Sequence, residues 1–298
     1  MRQAFYAEIQ SLLDDDPRAA LVFADISAAG FVTALREHPD RVLNVGIREQ
    51  LMVSVAGGLS LTGLRPIAHS YAPFLIERAW EQIKLDLTHS GAGAILVSVG
   101  ASYDSSASGR THHSPGDVAL LDTVDGWTVH VPGHAGEVGP ALRAAANRDD
   151  SVYMRLSESH NGRPYETEGR LIPIRRGTEA VVVAVGPMLD PVLDAAAGLD
   201  VTVAYTNTPR PFDAVTLREL VWEVRGPAAV VVVEPYLRGT SAHVVSAALS
   251  TVAHRLISLG VGREDLHRYG TIADHDAAHG LDTASLRAAL VSATHPER

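Results

Sequence analysis

Short, unbroken apolar runs recur along the chain: LVFAD from Leu21, LRPIAH from Leu64, AILVSV from Ala94, WTVHVP from Trp127 and SVYMRL from Ser151. Runs that are apolar throughout, rather than alternating with polar residues, suit parallel strands buried on both faces by helices. The stretches around 47–62, 75–89 and 135–147 carry helical spacing between these runs. A second series follows the polar stretch from Ser157 to Arg170, with EAVVVAVG, DVTVAYT and the AAVVVV run from Ala228, again separated by Ala-rich helical segments. The pattern predicts an α/β protein of two domains, each a mostly parallel sheet covered by helices. The boundary is expected near 160–175, so that the domains cover 1–165 and 166–298. Neither heptads nor a short repeat interrupts this order.

Composition narrows the classes. A chain of 298 residues with 46% hydrophobic content can bury a large core. The formal charge of −10, with basic residues scattered singly, argues against tracking a nucleic-acid backbone or an anionic membrane. Cysteine is absent, which excludes disulfides and thiolate metal sites. The opening MRQAFYAEIQSLLDDD lacks the apolar core of a signal peptide, and the longest apolar run, Ala228 to Val233, is strand-sized. A soluble, cytoplasmic protein is expected.

Candidate chemistry concentrates in the first half. In NVGIREQLMVSVAGGLSLTGLRPI, from Asn44 to Ile67, a strand end turns through Gly46 into a helix with Glu49 in its first turn. A glutamate there either complements the helix dipole or presents a carboxyl to a ligand. Tyr71 and Phe74 flank a proline-containing turn, which can offer a flat aromatic face or pack into the core. The segment from Gly100 to Asp117 reads as a long loop of small and polar residues after a buried strand, the place where α/β sheets bind ligands. Its His112 and His113 can serve as acid/base groups or stand solvated, and their adjacency suits one metal ion poorly. No glycine spacing of a nucleotide loop occurs. The HDAAH stretch, His275 to His279, puts two imidazoles on one helix face but lacks the glutamate of a zinc helix, so it is read as a solvated helix end.

In this order and spacing the three segments resemble the transketolase family, specifically its pyrimidine-binding domain followed by its C-terminal domain. GIREQ is similar to the family's G-[IV]-x-E motif, APF followed by RAWEQI to its aromatic turn and helix, and GRTHHSPGDVALL to its G-x-T-H loop. TPRPFDAVTL and VVVVEP resemble its C-terminal domain, so the similarity covers nearly the whole chain. The resemblance implies thiamine diphosphate as cofactor. It makes Glu49 the carboxyl at N1′ of the aminopyrimidine, Phe74 the ring that stacks on it, Tyr71 a second aromatic of the pocket, and His112 the loop histidine facing substrate. Asp25, in FADIS, matches an aspartate near the cofactor that helps join the domains, and equally suits a turn or cap. The carboxyl is needed because the cofactor's 4′-amino group takes the thiazolium proton only as an imino tautomer.

The family's other domain holds diphosphate and Mg²⁺ through a GDG motif, which this sequence lacks. The resemblance therefore implies a split enzyme, an α2β2 assembly in which a GDG-bearing α subunit supplies the diphosphate and Mg²⁺ site, acting on small-molecule donor and acceptor. Departures affect the substrate. Ser108 stands where sugar-phosphate transketolases usually have aspartate, and Gly100 and Glu158 fall where a phosphate-binding histidine and arginine are expected. Arg110 and His113, with Ser108, are candidates for substrate contact, while Arg155 can either read an anion or form a structural ion pair. The implied activity is transfer of a two-carbon ketol or acyl unit. A 2-oxoacid dehydrogenase β subunit and a noncatalytic scaffold subunit stay open as alternatives.

Overall fold

The structure, a computed structural model, describes residues 1–267 and 269–295. Six strands form one parallel sheet: β1 (Ala19–Phe23), β2 (Val42–Asn44), β3 (Arg65–Tyr71), β4 (Ile95–Val99), β5 (Trp127–His130) and β6 (Ser151–Arg155), in the order β2-β1-β3-β4-β6-β5. A second sheet contains β7 (Ile172–Arg175), β8 (Ala180–Val185), β9 (Val201–Thr206), β10 (Ala228–Leu237) and β11 (His254–Val261), in the order β11-β10-β8-β9-β7. Only its edge strand β7 runs antiparallel to its neighbour. Pro173 lies in that strand, and an edge tolerates a residue without an N–H.

The unbroken apolar runs are explained by two-sided burial. In β1, Leu21 and Phe23 face a layer with Phe5, Ile9 and Leu13 of the helix Arg2–Asp15, while Val22 points to the opposite layer with Met52 and Val53. Each such side chain stabilises the fold by roughly 1.5–3 kcal/mol when fully buried. The second sheet is sandwiched in the same way, with Val182 and Val203 on one face and Val181 and Val183 on the other. Among the described residues no helix is long and apolar enough to cross a membrane.

The two sheets are tied together by polar contacts. Arg210 donates to both carboxylate oxygens of Asp122 at 2.6 and 2.7 Å, and Glu137 accepts from the Tyr205 hydroxyl at 2.8 Å and from Asn207 Nδ2 at 3.0 Å. The helix Ile272–His279 forms as its spacing predicts, opened by a Thr271/Asp274 capping box. It is not, however, a solvated helix end. His275 is buried and stacks on Tyr103 of the first half with centroids 4.9 Å apart, and the Tyr103 hydroxyl donates to Asp276 Oδ1 at 2.5 Å. The imidazole is covered by a ring remote in sequence, which local periodicity does not report.

Acid sensitivity follows from buried imidazoles. His69 on β3 bonds the Val97 carbonyl and the Ser27 hydroxyl, both at 2.9 Å, and burial pushes its pKa down to about 3. The unfolded chain takes up this proton near the ordinary value, so His69 removes stability as pH falls below about 6.5. Burial pushes Asp104 and Glu234 up to about 7, and these act in the opposite sense, their stability being greatest at low pH and lost as pH rises toward 7. Urea unfolding of His69→Gln is expected to show a flatter decline between pH 6.5 and 4 than the parent, by up to about 1.4 kcal/mol per pH unit. An unchanged slope would remove His69 from the account.

Candidate active site at the carboxyl ends of the parallel sheet

Glu49 opens the helix Glu49–Leu61 just beyond the end of β2, where Gly46 makes the turn at φ +70°. The helix buries Glu49, Met52, Val53, Ala56 and Gly57, one face at helical spacing. Glu49 is therefore the polar head of an apolar stripe, and its side chain is 0% exposed. A buried carboxyl needs partners. Ser70 Oγ donates to Oε1 at 3.2 Å and Arg78 Nη1 to Oε2 at 2.8 Å. This differs from the solvated first-turn glutamate that merely complements a dipole.

The aromatic wall stands beside it. Tyr71 ends β3, and Pro73 opens a π-helical turn, Pro73–Arg78, that carries Phe74. His112 arrives from the loop after β4. The Tyr71, Phe74 and His112 rings meet edge to face, with Tyr71–Phe74 centroids at 6.1 Å, Tyr71–His112 at 5.7 Å and Phe74–His112 at 5.3 Å. Gly100 makes room for this wall: it has φ +72°, and a Cβ there would lie 2.3 Å from Tyr71 Cδ1. The residue that departs from the sugar-phosphate pattern is thus the one against which Tyr71 packs.

Asp25 is exposed at the end of β1 with φ 61°, a left-handed conformation that non-glycine residues seldom adopt away from functional or strained sites. Its Oδ1 accepts from Asn44 Nδ2 at 2.8 Å, while Asn44 Oδ1 accepts from the amides of Asp25 and Gly46 at 3.1 and 3.0 Å. Asn44 so links the β1 end to the turn that launches Glu49. No side-chain cap bond from Asp25 occurs among the described residues.

The loop histidines part company. His113 and Arg110 line a cavity of about 500 Å³ between the two halves, with Glu77 on one side and Arg263, His267 and Tyr269 on the other. Burial, and after it the neighbouring His275, hold the His113 imidazole below its usual range. Ser108 is exposed on a short 3₁₀ turn. None of the three joins His112 at the aromatic wall. Arg155 takes the structural alternative: it is fully buried, with Nε 2.8 Å from Asp117 Oδ2 and Nη2 2.6 Å from Ser102 Oγ. Asp117 also accepts from the Tyr153 hydroxyl at 2.7 Å, and this cluster anchors the ends of the loop that carries His112.

Sequence reading missed three participants. Arg78 lies over Phe74, with its guanidinium carbon 4.2 Å from the ring centroid. Its spacing of four from Phe74 was the available signal. Arg2 stands 5.7 Å from the Tyr71 centroid and donates to Tyr6 Oη at 2.6 Å and Ser27 Oγ at 3.0 Å, with no carboxylate partner among the described residues. Ser70, the second partner of Glu49, was equally unmarked.

Comparison with known proteins agrees with this layout. Residues 1–163 match the model of the transketolase pyrimidine-binding domain and residues 169–286 that of the transketolase C-terminal domain. An uncharacterised 33.6 kDa protein of the fasciation locus of Rhodococcoides fascians is 52% identical over 289 residues, covering 96% of this chain and 92% of its own length. The second of the named subunits of apulose-4-phosphate transketolase, from Actinobacillus succinogenes, is 29% identical, covering 96% of this chain and 91% of its own. Among solved structures, a split-gene transketolase in an inactive β4 tetramer superposes with a TM-score of 0.85 at 25% identity, covering 100% of this chain and 99% of that one.

Proposed function

The chain belongs to the transketolase family, and from that premise we propose that it is the C-terminal-half, β-type subunit of a split thiamine diphosphate enzyme transferring a two-carbon ketol or acyl unit. Its pyrimidine-binding domain is assigned to residues 1–165 and its C-terminal domain to 166–298, of which 268 and 296–298 lie outside the described residues. The observation that carries the reading is a fully buried Glu49 carboxyl beside the half-exposed ring of Phe74 at the carboxyl end of a parallel sheet.

These residues fit the aminopyrimidine end of the cofactor. A flat heteroaromatic ring can stack on Phe74 and meet Glu49 through N1′, with Tyr71 and His112 closing the wall. When bound, the cofactor supplies a thiazolium carbon able to hold the migrating unit as a nucleophile. Glu49 holds the proton at N1′, sheltered from water by the helix stripe beneath it. His112 faces the same pocket and can hold or move a proton at a substrate oxygen. Arg2, lacking a carboxylate partner among the described residues, is available to an anionic group on the substrate. Asp25, at the rim, is suited to meet the partner chain.

The diphosphate and Mg²⁺ call for an oxygen-rich site that a GDG motif supplies in this family, and the sequence has none. A partner subunit is assigned that role, in an α2β2 assembly. Ile47 and Leu51, 71% and 43% exposed on either side of buried Glu49, give such a partner an apolar rim.

Purifying the tagged chain from its native cell in Mg²⁺ and thiamine diphosphate tests this. A GDG-bearing chain should arrive with one cofactor per αβ pair, while either chain alone retains little. A chain isolated without that partner or cofactor would overturn the reading.

A further inference from the structure

Arg78 makes both contacts that the proposed function assigns to the aminopyrimidine. Its planar guanidinium lies 4.2 Å from the Phe74 centroid, and its Nη1 donates to Glu49 Oε2 at 2.8 Å. Guanidinium and aminopyrimidine share the relevant features: a flat, delocalised nitrogen-rich plane with N–H donors at its edge, able to stack and to bond a carboxyl in one pose. Arg78 is also the more movable member of the pair, since its side chain is 40% exposed and that of Glu49 is 0% exposed. The remaining bond to Glu49, from Ser70 at 3.2 Å, is the longer one.

We propose that Arg78 is the positioning residue of the aminopyrimidine site, a stand-in whose guanidinium keeps Glu49 and Phe74 in register by occupying the site until the cofactor ring displaces it. The inference rests on the reading of Glu49 and Phe74 as that site. Without a stand-in, a buried carboxyl would repack or admit water, so Arg78 preserves the shape the ring requires. The ring must also break an ion pair to enter, so part of its binding is spent on the exchange. Removing the guanidinium at position 78 therefore strengthens binding of the isolated ring, because the ring then becomes the best available partner for Glu49. A purely structural ion pair predicts the reverse, since its loss would disorder the pocket and weaken binding.

The test uses the full-length chain and the cofactor's pyrimidine fragment, 4-amino-5-hydroxymethyl-2-methylpyrimidine, titrated by ligand-detected NMR. Arg78→Ala is expected to bind the fragment about tenfold more tightly than the parent, the equivalent of one charge-assisted contact no longer broken. Guanidinium ion at low millimolar concentration should refill the vacated plane and compete the fragment off Arg78→Ala while leaving the parent unaffected. Arg78→Lys, which keeps the charge but not the plane, should fall between them, and it carries the comparison if the alanine variant loses its thermal transition. Binding to the variants no tighter than to the parent, or no binding to any of them, overturns the proposal, as does absence of guanidinium competition. Glu49→Gln in the Arg78→Ala background separates this from failure of the site itself. Unchanged fragment affinity there would show that Glu49 is not the anchor, whereas lost affinity with no effect of Arg78→Ala alone would sink only the stand-in.

Discussion

Glu49→Gln is expected to lower turnover of the reconstituted complex by at least about a hundredfold, the lower range for loss of a positioned proton carrier. Glutamine fills the same volume at the head of the helix stripe and still accepts from Ser70, so the fold and the partner contact should persist. What it cannot do is hold a transferable proton at N1′. The loss should therefore fall mainly on kcat, with a smaller rise in the cofactor concentration needed for half-saturation as one polar contact weakens. The decisive comparison is kcat at saturating cofactor for parent and variant, with bound cofactor counted in both. Turnover within about threefold of the parent, too little for loss of a general acid or base, would remove Glu49 from the chemistry and favour a scaffold role.

The second large effect is structural. Asp117→Ala should cost about 3–5 kcal/mol of stability, because it strands a buried guanidinium. Asp117 and Arg155 are both 0% exposed, and the pair shares its carboxylate with Tyr153. Arg155 Nη1 already lacks a partner among the described residues, so it has no reserve once the carboxylate is gone. Pairing Asp117→Ala with Arg155→Met removes the charge as well as its partner and should recover much of the loss, since an apolar replacement of a buried pair is often neutral. Urea midpoints of the two single variants and the double variant measure this. Equal, additive losses would mean that the two groups do not depend on each other. The cluster also ties Ser102 to the end of β6, so the double variant should keep its fold while the His112 loop loses an anchor, lowering turnover more than stability.

The strands were legible where apolar runs were long enough to be buried on both faces: β1, β3, β4, β5, β6, β8, β9 and β10 each coincide with a run read from the sequence. β2 was not, because Val42–Asn44 is three residues long and becomes a strand only by pairing with β1. β7 carries Pro173 and a polar alternation that suit an edge. The helices around 47–62 and 135–147 followed their periodicity, whereas the stretch 75–89 proved to contain π-helical turns at Pro73–Arg78 and Ile83–His89, an extra residue per turn that no spacing rule anticipated.

The sequence by itself determined the α/β class, the order of the motifs, and the residues Glu49, Tyr71, Phe74 and His112, because these depend on local pattern and on the spacing of a family signature. Only the tertiary structure decided which loop residues share a pocket. His112 and His113 are neighbours in the chain, yet one joins the aromatic wall and the other an interdomain cavity, since successive side chains in an extended turn point apart. It also decided that Arg155 is a buried ion-pair residue and that His275 packs under Tyr103. Burial and charge pairing are properties of what the rest of the chain brings alongside a residue, and those neighbours lie tens to hundreds of positions away.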